Sequence, residues 1–200
     1  MRLSAKRVFD VVASGLGLLV LSPVFAAMAV WIKADSKGPV FYRQTRVGRD
    51  NKDFSLYKFR SMRPDADKGS LITIGERDPR ITRSGYFIRK YKLDELPQLI
   101  NVFRGDMSLV GPRPEVRKYV DMYTPEQMRV LSVRPGITSL ASIRYRNENE
   151  ILAASDDPMR TYIEKVMPDK LRIDLEYVNR ATLLNDIRLI FNTLWEIIAR

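Results

Sequence analysis

Asp94 and Glu95 stand side by side in Lys92-Leu93-Asp94-Glu95-Leu96-Pro97-Gln98, in a chain with no histidine and no cysteine. That composition excludes imidazole bases, thiolate nucleophiles, disulfides and His- or Cys-ligated metals. Any metal must be a hard cation held by oxygen, such as magnesium or calcium. A carboxylate working with such a metal is among the few nucleophilic designs left open. An ionised Asp94 can attack phosphorus to give an acyl phosphate. Glu95 beside it can hold Mg2+, whose charge offsets that of the phosphate under attack.

The elements around the pair must place it. Leu96, Leu99, Ile100 and Phe103 are spaced for one apolar helix face, and Gly105 ends that helix. Asp94 then falls at or near the N-cap, with Glu95 and Pro97 in the first turn. A carboxylate there faces free amides and the positive end of the helix dipole, and stays ionised. The same two residues would equally make an ordinary helix cap. Upstream, Ile81, Phe87, Ile88 and Tyr91 lie among Arg80, Arg83, Arg89, Lys90 and Lys92. This reads as a basic helix leading into the carboxylates, either a solvated face over one buried stripe or a set of cations offered to an anion. Downstream, Gly111-Pro112-Arg113-Pro114 and Arg134-Pro135-Gly136 each set an arginine in a proline-stiffened backbone. A rigid arginine suits bidentate phosphate recognition, although Pro/Arg loops are also common without it.

The 200 residues, 45% hydrophobic, fit one domain with a sizeable core. A net charge of +10 implies anionic partners: nucleic acid, lipid head groups or phosphorylated small molecules. From Phe9 to Ile32 the only charge is Asp10. As an ideal helix this run is roughly 36 Å long, against a hydrocarbon core of about 30 Å. It reads as a spanning helix, as a signal peptide with Ala27-Met28-Ala29 as its small-residue site, or as a re-entrant helix. The signal reading is opposed by Val30-Trp31-Ile32, which continue the apolar run. Ser22-Pro23 predicts a kink in the middle. Basic residues flank both ends, Arg2, Lys6 and Arg7 before and Lys33, Lys37, Arg43 and Arg46 after. Balanced flanks suit a helix that enters, bends and returns to the same side.

Beyond the turn signal Ser36-Lys37-Gly38-Pro39, short strands are expected at Val40-Phe41-Tyr42 and over 54–59, joined by a hairpin loop at 47–51. Residues 63–80 read as a surface loop. A segment over 115–131 carries apolar residues, with a new helix start at Thr124-Pro125-Glu126, and residues 148–167 read as mixed and helical. The last helix, about 183 to 198, has a wide apolar face carrying Trp195. That face would pack on the core, lie at a membrane surface or contact a second copy.

The motifs Lys58-Phe59-Arg60-Ser61-Met62, Leu93-Asp94-Glu95-Leu96-Pro97-Gln98-Leu99, Asn101-Val102-Phe103-Arg104-Gly105-Asp106-Met107-Ser108, Val110-Gly111-Pro112-Arg113-Pro114 and Arg134-Pro135-Gly136-Ile137-Thr138 occur in this order. Together with the Ser22-Pro23 break, this series resembles the bacterial sugar transferases, the small monotopic phosphoglycosyl transferases that begin lipid-linked glycan assembly. The resemblance covers about residues 5 to 145. By position it makes Asp94 the nucleophile, Glu95 its metal-associated partner, and Arg89 and Arg113 phosphate contacts. Lys58, Arg60 and Arg134 lie in motifs of the family and are expected on the phosphate side. The resemblance favours the re-entrant helix and implies transfer of a sugar phosphate from a UDP-sugar to undecaprenyl phosphate, with Mg2+ and release of UMP.

The expected architecture is α/β, mostly helical with a few short strands. Residues 1–35 would form a re-entrant helix-break-helix anchor, and residues 36–200 a compact catalytic domain with amphipathic interfacial helices. The expected location is the cytoplasmic face of the bacterial inner membrane, as a monotopic protein with no nucleic-acid partner and with room for a homodimer. The rival is a non-enzymatic, membrane-tethered basic protein that binds nucleic acid or anionic lipid. After Thr138 many family members continue Gly-Leu-Ala-Gln and then a Gly-Arg pair, whereas this chain reads Ser139-Leu140-Ala141-Ser142-Ile143-Arg144 and on to Glu148. That departure leaves the sugar open.

Overall fold

Helix α1, Ala5–Val20, starts where the Ser4 hydroxyl accepts from the Arg7 amide. It stops at Leu21. There Ser22 Oγ donates to the Leu19 carbonyl at 2.8 Å, and Pro23 sits in the first turn of α2, Ser22–Asp35. The two helices meet at 59°. The expected kink is therefore present at Ser22-Pro23, where proline denies the helix a donor. The computed structural model describes residues 4–64, 66 and 78–198, so the loop expected over 63–80 lies mostly outside the described residues. Among these, no single helix is long and apolar enough to cross a membrane; the bent pair passes that test together, by length and composition.

The polarity of α1 runs opposite to that of a soluble helix. Val8, Val12, Leu16 and Leu19 face outward, Leu19 at 71% exposure. Asp10 and Ser14 face inward and are buried. Asp10 accepts from the Leu109 amide at 3.1 Å. Arg7 donates to the Val102 and Phe103 carbonyls at 2.7 and 3.0 Å. These carbonyls belong to the last turn of α4, Gln98–Arg104, where a cation also complements the helix dipole.

Strands β1, Phe41–Val47, and β2, Asp53–Phe59, form the expected antiparallel hairpin, pairing Phe41 with Phe59 and Val47 with Asp53. Phe59 is buried against Phe25 of α2 at 5.1 Å and Phe41 at 5.5 Å. With Ile32 and Ile88 it forms a cluster beneath the carboxylate turn. Ile88 comes from α3, Arg83–Lys90, the basic helix read from sequence. Asn101 of α4 is buried and acts as an extra strand residue: its Nδ2 donates to Ser55 O at 2.7 Å and its Oδ1 accepts from Tyr57 N at 3.0 Å. This fixes α4 against β2.

A second sheet was not anticipated. Strands β3, Ser108–Val110, and β4, Gly136–Thr138, pair in parallel. Three residues each, they carry too little pattern to be read locally. They bring the two Pro/Arg loops together. A Cβ on Gly136 would lie 2.1 Å from the Gly111 nitrogen, and one on Gly111 would lie 2.5 Å from the Arg134 carbonyl oxygen, so this approach requires glycine on both sides.

The rest of the chain is helical. The 115–131 segment yields α5, Arg117–Val120, and a separate 3-10 turn, Gln127–Ser132. Then α6, Leu140–Arg144, precedes the expected 148–167 helix, which is broken into α7, Glu148–Ala153, and α8, Pro158–Thr161. The break falls at Asp157, whose side chain caps α8 just before Pro158. A π turn over Tyr162–Val166 leads into α9, Met167–Arg180. These elements share a core of Val116, Tyr119, Leu152, Tyr162 and Leu171. Helix α10, Leu183–Ile198, spans the expected residues. Asp186 on its inner face is buried and paired with Lys6 and Tyr177, while Phe191 and Trp195 point outward at 66% and 72% exposure.

Candidate active site

The turn that carries the carboxylates is made by a left-handed residue. Lys92 has φ of 56° and turns the chain out of α3. Leu93–Glu95 then form a 3-10 turn, and α4 begins only at Gln98, with Pro97 in the capping position. Asp94, expected at or near the N-cap of α4, lies one turn before it. Pro97 supplies no amide for a side-chain cap, and the 3-10 turn moves Asp94 inward.

Asp94 is 6% exposed. Burial raises its pKa, and the charges of Lys58 and Arg89 oppose that rise while Glu95 adds to it. Its ionisation therefore depends on specific cations. Lys58 Nζ lies 3.7 Å from Asp94 and 3.3 Å from Glu95. Lys58 is held in β2 one residue beyond Tyr57, whose amide is bound by Asn101, so the helix that follows the carboxylate turn and the strand bearing the lysine are tied together. Glu95 takes a bidentate contact from Arg113, through Nη2 to Oε1 and Nη1 to Oε2. Burial would raise the Glu95 pKa, but Arg113 and Lys58 overcome it and hold the carboxyl below its usual range. Glu95 in turn pushes Arg113 up.

Asp94, Lys58, Arg89 and Arg113 line a cavity of about 780 Å3. That lies within the roughly 300–1,000 Å3 typical of small-molecule sites. The two other expected phosphate contacts are placed differently. Arg60 reaches the cavity wall, but its guanidinium donates to Lys37 O at 2.6 Å, Ser36 O at 2.7 Å and Ile32 O at 3.3 Å, closing the C-terminal end of α2. Arg134 donates from Nε to Gly105 O at 2.8 Å and does not line the cavity. Ser22 and Pro23 sit at the bend between α1 and α2.

Several cavity residues had no sequence signal of their own. Arg46 donates to Pro114 O and to Glu115, both at 3.0 Å, and Glu115 accepts from the Tyr162 hydroxyl. This network braces the loop that carries Arg113. Only the adjacency of Glu115 to Pro114 hints at it. Asp174 and the Lys170–Glu148 pair come from α9 and α7, far along the chain.

Among the described residues no group of three or more acidic side chains gathers into a metal cage. Mg2+ is usually held by one or two carboxylates together with substrate phosphates and water, and the Asp94–Glu95 pair fits that donor set. A carboxylate has about four lone-pair sites. Glu95 can therefore serve a cation besides Arg113 and Lys58.

The family model described as bacterial sugar transferase matches residues 1–200. A UDP-N-acetylgalactosamine-undecaprenyl-phosphate N-acetylgalactosaminephosphotransferase of Aeromonas hydrophila is 40% identical over 94% of this chain and 42% of its own length. A UDP-glucose:undecaprenyl-phosphate glucose-1-phosphate transferase of Escherichia coli is 38% identical over 96% of this chain and 39% of its own. The chain thus spans about two-fifths of the length of these relatives. The exopolysaccharide production protein PSS of Rhizobium leguminosarum is 40% identical over 96% of this chain and 94% of its own. With the carboxylate turn, the cationic cavity and the bent apolar pair in one chain, and the match end to end, the protein belongs to the bacterial sugar transferase family.

Proposed function

We propose that this chain transfers a sugar phosphate from a UDP-sugar to undecaprenyl phosphate through a covalent Asp94 intermediate, as the first membrane step of glycan assembly. The observation that carries the reading is a buried Asp94 in the wall of a cavity with Lys58, Arg89 and Arg113. An Asp94 oxygen attacks the sugar-bearing phosphorus. The bond from that phosphorus to the bridging oxygen breaks, and UMP leaves with the oxygen. An oxygen of undecaprenyl phosphate then attacks the same phosphorus, and the bond to Asp94 breaks. The products are the lipid diphosphate sugar and the free carboxylate.

Lys58 and Arg89 pull Asp94 toward the ionised form that the first attack needs, against the burial that raises its pKa. Arg113 stands where a fixed guanidinium offsets charge on the phosphates, and Arg89 adds a further cation at the cavity wall. In this reading Arg60 and Arg134 support the site through backbone carbonyls and leave the phosphates to the other cations. Glu95 would hold Mg2+, which when bound neutralises part of the diphosphate charge.

The bent pair serves as a re-entrant anchor in the cytoplasmic face of the bacterial inner membrane, with residues 36–200 as the catalytic domain. Its support is the inverted polarity of α1: apolar side chains outward, Asp10 and Ser14 inward. A lipid phosphate and a soluble nucleotide can then reach one carboxylate at the interface.

The test is UMP release from UDP-sugars by the purified chain in detergent with Mg2+ and undecaprenyl phosphate. Asp94→Asn is expected to abolish UMP release and capture of labelled phosphosugar, with membrane association unchanged. Full turnover in that variant refutes the nucleophile. No UMP from any donor favours a non-catalytic basic membrane protein.

A further inference from the structure

Helix α2 ends on Asp35, a carboxylate at the helix end where the dipole favours cations. Its partner lies far along the chain. Asp35 Oδ2 accepts from the Ser84 amide at 2.9 Å and from the Ser84 hydroxyl at 2.8 Å. Ser84 is fully buried in the first turn of α3. The amides of a first turn have no partner within their own helix. Thr82, the N-cap, accepts from the Gly85 amide at 3.0 Å, and Asp35 takes the amide one residue before it. A carboxylate that opposes the dipole of its own helix thus supports that of its neighbour.

Other contacts lock the same joint. The Arg60 guanidinium binds the carbonyls at the end of α2. The Thr82 amide donates to the Ser61 carbonyl at 3.1 Å, and a Cβ on Gly85 would lie 1.9 Å from that oxygen. Trp31 of α2 meets Phe87 of α3 with ring centres 5.2 Å apart. Ile32 and Ile88 are buried in one cluster, against which Leu93 and Leu96 pack from either side of Asp94 and Glu95. Polar contacts therefore fix the start of α3 to α2, and apolar contacts fix its end.

What α3 delivers is Arg89. It follows Ile88, reaches the cavity wall, and its charge acts on Asp94. Lys58 and Arg113 are held in place by ion pairs to Glu95. Arg89 has no ion pair among the described residues, so its place follows from the backbone of α3. We infer that Asp35 is a positioning residue: through its two bonds to Ser84 it holds α3 so that Arg89 stands in the cavity wall beside Asp94. What Arg89 then does for turnover rests on the transferase reading above. The bent pair gains a second role, because the end of α2 sets a cation of the site.

The test uses the full chain in detergent, with calorimetry on UDP for binding and UMP release for rate. Asp35→Ala is expected to weaken UDP binding about fivefold and to slow UMP release about tenfold. Both Ser84 bonds end on one oxygen, so the amide oxygen of Asp35→Asn can accept both, and that variant is expected within about twofold of the parent. In an Arg89→Gln background, Asp35→Ala should cost less than about twofold in either measurement, since the residue it positions is gone. Losses that multiply in full, an Asp35→Asn protein as damaged as Asp35→Ala, or a folded Asp35→Ala protein equal to the parent each overturn the proposal. If Asp35→Ala does not fold, Ser84→Ala removes one of the two bonds instead; its loss of about threefold must vanish beside Arg89→Gln, and an unchanged protein overturns the proposal. A parent that releases no UMP, yet whose UDP binding falls in Asp35→Ala only when Arg89 is present, breaks the transferase reading and keeps the positioning role. A parent that neither binds UDP nor releases UMP overturns both.

Discussion

Arg113 and Arg134 are near twins in sequence. Each is followed by proline, each has a glycine within two residues, and the parallel bridge of β3 and β4 sets their loops side by side. Yet they do different work. Arg113 enters the cavity and grips Glu95 with both terminal nitrogens. Arg134 turns away to the carbonyl of Gly105, the residue that ends α4. One guanidinium is driven up by a carboxylate, and the other is driven down by burial among further cations. A stiff backbone fixes where an arginine starts; the groups within reach decide what it does.

The contrast breaks most completely at the bridge itself. Gly136→Ala places a Cβ 2.1 Å from the Gly111 nitrogen, where backbone must move. The expected cost is about 4 kcal/mol or more, seen as loss of the cooperative melting transition and of both arginine positions. A variant that melts with the parent would show that the loops can separate freely.

Arg113→Gln is the next largest. Transfer should fall about 10²-fold with the fold intact, since a preorganised charge at the phosphates is lost. Activity within about threefold of the parent would leave Arg113 a brace for Glu95 only. Arg134→Gln should do the reverse: about 1 kcal/mol off stability in denaturant unfolding, with turnover nearly unchanged. A large loss of turnover there would return Arg134 to the phosphate side.

The smallest effect is in acid. Glu95 has a folded pKa below its unfolded value, so its contribution to stability is present above the unfolded pKa, about 4.3, and is lost as pH falls through the folded one. Arg113→Gln removes the strongest opponent of burial and raises the Glu95 pKa. The acid-induced fall in the thermal midpoint should therefore begin at the same unfolded pKa but be smaller in the variant and level off at a higher pH than in the parent. Arg134→Gln should show no such shift, because the Arg134 guanidinium stays charged throughout that range. Superimposed pH profiles for Arg113→Gln and the parent would remove the electrostatic coupling.

Much of the fold was legible where its causes are local. The break at Ser22-Pro23, the hairpin, the basic helix before the carboxylates and the residues of α10 all follow from proline chemistry, alternation or helical spacing within a few residues. Asp94 was placed only to within a turn of the helix start because several short-range rules compete there: the left-handed Lys92 and Pro97 draw out a 3-10 turn before α4 can start. Arg60 shows the same limit. Its motif points to phosphate, and its guanidinium instead binds the end of α2, more than twenty residues earlier in the chain.

The sequence by itself determined the inventory. It left carboxylates and hard cations as the chemistry, supplied an excess of positive charge, and set Asp94 and Glu95 together near stiffened arginines. Only the tertiary structure decided which cations meet them. Asn101 ties β2 to α4 and so brings Lys58 to Asp94. The β3–β4 bridge selects Arg113 over Arg134, and α9 brings Asp174 to the same cavity from eighty residues away. These are contacts between segments with no local pattern in common. Burial and the desolvation of charge are properties of the packed chain, and they set the ionisation on which the proposed chemistry at Asp94 depends.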